Sequence, residues 1–205
     1  TKYHHSLSLL SDDRILTTCG LTASAPTNLA HIGSISGKTI TWIESTPYPI
    51  SLSMTRVIVL PDGRILSIGG YTGSVNVNNV YFGTVSGDSI TWVAGTPFPI
   101  LIRAGSLSLL PDGRVLYVGG YGSPSVVANT YFGTISGNTI TWVAGTALPA
   151  TAYRHNIILL ADGRIVIYNG AGSASGNLPV WYGTISGNTI SWVTASVLYP
   201  NNYSS

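Results

Sequence analysis

Apolar and polar positions recur along this chain with a fixed spacing of 50 residues. The third copy shows the pattern best, as SLSLLPDGRVLYVGG, a variable stretch, and TYFGTISGNTITWVAGT. Matching positions include a leucine and a tryptophan in every copy: Leu10, Leu60, Leu110 and Leu160, then Trp42, Trp92, Trp142 and Trp192. A period of this size indicates a repeat architecture, in which each unit buries its apolar face against its neighbours.

Within one copy the pattern predicts four short strands and no helix. In the third copy the strands are expected at residues 106–110, 115–118, 130–135 and 139–143. PDGR and SGN are turn sequences, because proline presets φ and glycine accepts a positive φ. The unbroken apolar run at 115–118 is typical of a strand covered on both faces.

Four antiparallel strands per 50 residues, repeated four times, predict an all-β fold, specifically a β-propeller. The blades would lie at about 1–50, 51–100, 101–150 and 151–205 in a single domain. A solenoid of β-arches is the alternative, but its coils are usually shorter and lack two tight hairpins per unit.

The mode of ring closure stays open at this point. The chain could form a four-bladed ring, two chains could form an eight-bladed ring, or the chain could be a segment of a longer repeat protein. Four blades is the low end for propellers. We therefore expect the isolated chain to associate with itself.

The composition limits the classes of partner that this chain is expected to bind. Charged residues make up 8% of the chain, against roughly 25% in ordinary domains, and the net charge is +2. Four of the nine basic residues belong to the repeated Asp-x-Arg turn, which leaves too few for binding nucleic acid. No apolar run is long enough for a membrane span. A surface rich in hydroxyls and amides suits an extracellular, cell-surface or virion protein.

The single cysteine, Cys19, takes the place of a glycine of the repeat, at Gly69 and Gly119. One cysteine allows no internal disulfide. We expect it to be a small buried residue.

The stretches LPDGRILSIGGY (60–71) and LLPDGRVLYVGGY (109–121) resemble kelch repeats. In that family a glycine pair closes the second strand and a tryptophan follows in the fourth. Here the pairs are Gly69-Gly70 and Gly119-Gly120. The first copy departs with Cys19 before Gly20, and the usual tyrosine before the tryptophan is missing. The resemblance implies a kelch-like propeller without indicating one functional subgroup.

A second, weaker resemblance involves the fourth-strand hairpin. SGDSITW (86–92) and SGNTITW (136–142) are similar to the Asp-box of sialidase-like propellers. Only Asp88 supplies the acid, and the glycine is displaced. In that family the box is a structural turn, so the resemblance does not imply hydrolysis.

The copies differ mainly at one expected edge of the blades. PDGR and SGN would share the constant edge. There we expect Asp112 to accept backbone N–H groups, and Arg114 to hold a neighbour or to extend over the blade, although a functional ring of four arginines is an alternative. The second loop and the residues before the first strand would share the variable edge.

At the variable edge, residues rich in aromatic and cationic side chains would line the mouth of the central channel. The candidate ligand-binding residues are Tyr3, His4, His5, Arg56, Tyr71, Arg103, Tyr121, Tyr153, Arg154 and His155. Aromatic faces with a few donors suit a sugar or a small anion. The alternative is that these side chains plug the channel.

The sequence gives little support for catalysis or for metal binding. Glu44 is the only glutamate, and no carboxylate pair lies near the variable edge for acid–base work. His4 and His5 would point to opposite faces of a strand, so at most one could join His155, and two histidines without a third ligand make a weak metal site. We therefore expect no enzyme, metal or cofactor.

The sequence thus predicts a non-enzymatic binding or scaffold propeller, with a glycan or protein as ligand. A purely structural, self-assembling repeat is the second hypothesis. A glycan-processing enzyme is the third.

Overall fold

A computed structural model describes residues 2–168, 170–171 and 179–195 of the chain. This part is all-β and contains no helix, so no helix in it is long and apolar enough to cross a membrane. Its strands form four antiparallel sheets of four strands each. The predicted all-β class is confirmed, and so is the prediction of four strands per copy.

Each sheet contains the four strands of one copy, hydrogen-bonded in chain order. The first sheet comprises β1 (Ser6–Leu9), β2 (Ile15–Thr18), β3 (Ala30–Ser36) and β4 (Thr39–Ser45). The second comprises β5 (Arg56–Val59), β6 (Ile65–Tyr71), β7 (Asn76–Ser86) and β8 (Ser89–Ala94). The third comprises β9 (Ser106–Leu109), β10 (Val115–Val118), β11 (Thr130–Ser136) and β12 (Thr139–Ala144). The fourth comprises β13 (Asn156–Leu159), β14 (Ile165–Tyr168), β15 (Trp181–Ser186) and β16 (Thr189–Thr194).

The PDGR sequence forms a hairpin turn between the first two strands of each sheet. In the second copy Leu60 and Arg64 close the turn through a backbone hydrogen bond of 2.7 Å, and Gly63 adopts a φ of 81°. The Asp62 carboxylate accepts the Arg64 backbone N–H at 3.1 Å. Aspartate, glycine and arginine therefore each have a defined role in this turn, as the sequence indicated.

The second sheet is longer than the others. Its β6 and β7 continue to the pairing of Tyr71 with Asn76, and the register shifts between Ile68 and Gly70. Such a bulge bends the strand locally. The sequence did not predict this extension.

The chain divides into two compact units. Unit 1 comprises Thr1–Ala104 and Ile135–Thr141, and unit 2 comprises Gly105–Thr134 and Trp142–Ser205. Each unit has its own apolar core, and each core lies between two consecutive sheets.

In unit 1 the first and second sheets pack face to face. Leu10, Leu16 and Ile32 from the first sheet meet Ile65 and Ile90 from the second. We call the face that carries Leu10 and its equivalents the back face of a sheet, and the face that carries Ile90 and its equivalents the front face. The back face of the first sheet thus covers the front face of the second.

Unit 2 repeats this arrangement with the third and fourth sheets. Leu110, Leu116 and Phe132 on the back face of the third sheet pack against Ile165 and Ile190 on the front face of the fourth. Burial of such aliphatic and aromatic side chains is the main stabilising contribution expected here, at about 1.5–3 kcal/mol per fully buried side chain.

Cys19 is fully buried in unit 1, beside Tyr48 and Leu52. Its φ of 59° matches the 63° of Gly69 at the same position of the repeat. Burial raises the pKa of the thiol to about 12. The prediction of a small buried residue is confirmed.

Candidate functional site

The constant edge of the sheets is held by arginines that reach from one copy to the next. Arg14 donates to the carbonyl oxygen of Gly87 at 2.8 Å and to the carboxylate of Asp88 at 2.9 Å. Arg64 donates in the same way to the Gly137 carbonyl oxygen and to Asn138. The first and third turns therefore share one edge, as predicted.

In unit 2, Arg114 donates to the Asn188 side chain at 2.6 Å, and its guanidinium lies 4.7 Å from the centre of the Phe132 ring. Arg114 also donates to Asp112, and the hydrogen bond from Arg114 lowers the pKa of that carboxyl group. The predicted role of Arg114 in holding a neighbour is confirmed.

At the opposite edge, the third residue of a copy pairs with the twenty-first residue of the same copy. The backbone bridges join Tyr3 to Leu21, Ser53 to Tyr71, and Tyr153 to Ala171. The residues before the first strand and the second loop therefore share this edge, as predicted. We call this the variable edge, because its side chains differ between copies while its backbone pairing repeats.

The fourth residue of every copy has a positive φ although none is glycine. The values are 54° at His4, 58° at Met54, 55° at Ala104 and 57° at Arg154. This conformation costs roughly 1–2 kcal/mol per non-glycine residue. The conformation persists because the backbone groups of these residues form hydrogen bonds between copies. In unit 1 the Met54 N–H donates to the His4 carbonyl oxygen, and the Ala104 N–H donates to the Met54 carbonyl oxygen, both at 3.0 Å.

Those two hydrogen bonds place the starts of consecutive copies side by side. A side chain at the third position then lies close to the twenty-first residue of the preceding copy. In unit 1 the Arg103 guanidinium lies over the Tyr71 ring, 4.0 Å from its centre. This contact is closer than that of Arg154 with the Tyr153 ring, whose guanidinium lies 5.5 Å from the ring centre.

The equivalent pair in unit 2 consists of two tyrosines. The rings of Tyr121 and Tyr153 meet edge to face with their centres 6.0 Å apart. The exposed Arg154 lies with its guanidinium 5.5 Å from the centre of the Tyr153 ring. The structure therefore brings together three of the predicted site residues in this unit.

The first copy contributes three neighbouring exposed side chains to unit 1. Tyr3 and His4 meet edge to face at 5.1 Å between ring centres, and His5 beside them is also exposed. Arg56 begins β5 and is half-buried. These four residues lie at the variable edge, as the sequence predicted.

His155 differs from the expectation for an accessible ligand contact. Its exposed fraction is 1%, and its backbone carbonyl oxygen accepts the Ser106 hydroxyl at 2.6 Å. The imidazole fits against Gly119, where a Cβ would come within 2.8 Å of the ring. His155 is therefore a residue of the interior of unit 2, because the missing side chain at Gly119 leaves space for its ring.

The sequence reasoning missed three contributors to the variable edge, Leu21, Ser53 and Ala171. They lie at the repeat positions that carry Tyr71 and Arg103 in other copies, so the 50-residue offset alone was a signal for them. Among the described residues, no group of three or more His, Cys, Asp or Glu side chains could hold a metal ion.

All seven acidic residues lie away from the third and twenty-first positions. Six aspartates occupy turns, and Glu44 lies in the outer strand β4. The variable edge thus combines aromatic rings with cationic groups. Comparison with models of known protein families and with curated proteins finds no match for this sequence.

Proposed function

We propose that this chain is a kelch-like β-propeller module that binds an anionic glycan at its variable edge without catalysing a reaction. Each sheet would be one blade, and the front-to-back packing within each unit is the packing that blades require. The hydrogen bonds from Met54 to His4 and from Ala104 to Met54 support this arrangement, because they join the fourth residues of three consecutive copies at one edge.

The observation that carries the proposal is the stacking of Arg103 on Tyr71 at 4.0 Å. A guanidinium fixed on a ring presents its N–H fork in one orientation, which favours two parallel hydrogen bonds to a carboxylate or sulfate group. Tyrosine adds an apolar surface with a polar tip, which suits a sugar ring. Tyr121, Tyr153 and Arg154 repeat this chemistry in unit 2.

The acidic residues favour binding over catalysis. Hydrolysis of a glycosidic bond commonly uses two carboxyl groups on either side of that bond. In this chain the carboxylates of Asp12, Asp62, Asp112 and Asp162 are each engaged by the arginine two residues later. A sparsely charged surface rich in Ser, Thr, Asn and Gly supports a place outside the cytoplasm, on a cell surface or virion, and gives no support for nucleic acid as a partner.

An array of neutral, carboxylated and sulfated oligosaccharides tests the proposal. We expect the wild type to bind acidic members and the Arg103→Ala, Arg154→Ala double variant to lose binding while keeping its unfolding temperature. The Lys38→Ala, Arg164→Ala double variant is the matched control, because it removes two positive charges from exposed positions at the constant edge. A double variant that binds normally would contradict the proposal. So would a wild type that binds no glycan, and that result would favour a purely structural repeat.

A further inference from the structure

Two apolar sheet faces are exposed: the front face of the first sheet and the back face of the fourth. The equivalent faces in other copies are covered. On the front face of the first sheet, Ile40 is 43% exposed, whereas its equivalent Ile90 in the second sheet is 2% exposed. Leu7, Leu9 and Trp42 on the same face are also exposed. The equivalent front-face residues of the second and fourth sheets pack in the two cores.

The fourth sheet shows the complementary opening on its back face. Ile158 is exposed, and Leu160, Val166 and Tyr182 are only partly buried. Their equivalents on the back face of the third sheet include Leu110, Leu116 and Phe132, all of which are buried in the core of unit 2. An exposed apolar face of this extent is typical of an interaction surface.

We infer that these two faces pair between two copies of this chain. The repeat carries the argument: inside each unit, a back face covers the front face of the following sheet, and the residues that do so recur 50 positions apart. The back face of the fourth sheet in one copy therefore carries the apolar positions that would cover the front face of the first sheet in another. This contact joins different surfaces of the two chains, and in a closed pair of chains it would be made twice.

Arg164 gives the contact a second, electrostatic feature. Arg14, Arg64 and Arg114 each donate to a hairpin tip in the following copy, at Asp88, Asn138 and Asn188. Among the described residues Arg164 forms its side-chain ion pair with Asp162, and its side chain is 47% exposed, against 19–21% for the other three. Its partner in a second copy would be the tip Gly37-Lys38.

Lys38 is the one tip residue of the four whose side chain cannot accept a hydrogen bond. The Gly37 carbonyl oxygen can still accept from Arg164, as those of Gly87 and Gly137 do from Arg14 and Arg64. The like charges of Lys38 and Arg164 would weaken the association between chains. Association with the second copy would thus depend on apolar burial, and its strength would change with the charge at position 38.

The test is the mass of the full chain in solution by light scattering and sedimentation, over a wide range of protein concentration. We expect a mass near twice 21.5 kDa that falls on dilution. Ile40→Asp should remove association. Ile43→Asp is the matched control, since Ile43 lies in the same strand with similar exposure but faces the other side of the sheet.

Lys38→Asp provides a gain-of-function test that does not depend on a disruptive variant. We expect it to tighten association by about five- to tenfold at low ionic strength, because a repulsive pair becomes an attractive one. A wild type that stays monomeric, a control that dissociates as Ile40→Asp does, or masses that grow beyond two chains would overturn the inference. Lys38→Asp that stabilises a monomer would instead indicate closure within one chain, and would also overturn it.

Discussion

Gly83 in β7 lies directly opposite Trp92 in β8, and the indole ring occupies the space that a Cβ on Gly83 would need. A Cβ atom on Gly83 would lie 2.6 Å from the Cζ3 atom of the ring. Gly33 with Trp42 and Gly183 with Trp192 show the same relationship. In these three copies the repeated tryptophan therefore packs closely against its own sheet because a glycine faces it.

We expect Gly83→Ala to destabilise the protein by about 1–3 kcal/mol, because the indole must move out of a packed position. Urea unfolding followed by tryptophan fluorescence measures this change. Thr84→Ala in the same strand is the control, since Thr84 is exposed and should change stability little. An unchanged unfolding midpoint for Gly83→Ala would contradict the packing described.

Asp13 occupies a turn position where the other three copies have glycine. Its φ is 63°, and the glycines Gly63, Gly113 and Gly163 have φ values of 81°, 84° and 83°. We expect Asp13→Gly to stabilise the chain by about 0.5–1 kcal/mol, because relief of the left-handed strain exceeds the entropy that glycine adds to the unfolded chain. Thermal unfolding measures the shift.

The reverse substitution, Gly113→Asp, is the matched comparison. No atom lies within 4 Å of a Cβ built on Gly113, so backbone strain alone should decide the result. We expect this variant to be less stable than the wild type. If both substitutions changed stability in the same direction, the explanation from φ would be excluded.

Arg64 and Arg164 have the same sequence context and different surroundings. Arg64 donates to Gly137 and Asn138 and lies 4.9 Å from the centre of the Phe82 ring, whereas Arg164 is the more exposed of the two. We expect Arg64→Ala to cost about 1–2 kcal/mol of unfolding free energy, and Arg164→Ala to change it little. Chemical denaturation of both variants below the concentration of self-association tests this, and equal losses would contradict it.

Alkaline pH should weaken the fold through two buried groups. Burial raises the pKa of Cys19 from 9.0 to about 12 and also raises the pKa of Tyr48 well above its ordinary 10.0. The folded state thus keeps protons that the unfolded chain releases. This contribution to stability is therefore fully present below the unfolded pKa values, near pH 9–10, and is lost as pH rises from them through the folded pKa values.

Tyr48→Phe separates this effect from general alkaline damage. The Tyr48 hydroxyl donates to Ser67 at 2.9 Å, so its loss should cost about 1 kcal/mol at neutral pH. The variant should then show a shallower decline of unfolding free energy above about pH 10. Identical slopes for wild type and variant would argue against Tyr48 as a source of the pH dependence.

The local elements of the fold could be predicted from the sequence, because turns and strands follow short-range rules. In the third copy the expected strands at 106–110 and 139–143 correspond to β9 (Ser106–Leu109) and β12 (Thr139–Ala144). The turn role of Asp112 was predictable for the same reason, since it depends on the residue two positions later, Arg114.

Contacts between copies were less predictable, because they depend on how the sheets pack. Arg64 reaches Asn138, 74 residues further along, and no local pattern identifies that partner. His155 looked like a surface ligand because its neighbours Tyr153 and Arg154 are variable and polar. Its burial follows from the space beside Gly119, which becomes visible only when the strands are brought together.

The central claim about this molecule is a division between a constant edge that holds the scaffold together and a variable edge that binds a ligand. A crystal structure of the chain with a saturating acidic oligosaccharide, chosen as the strongest array ligand, tests this division most directly. We expect the acidic group of the sugar to contact the Arg103 guanidinium beside Tyr71, with no sugar bound near Arg64 and Asp62. A sugar bound at the PDGR turns instead would contradict the account.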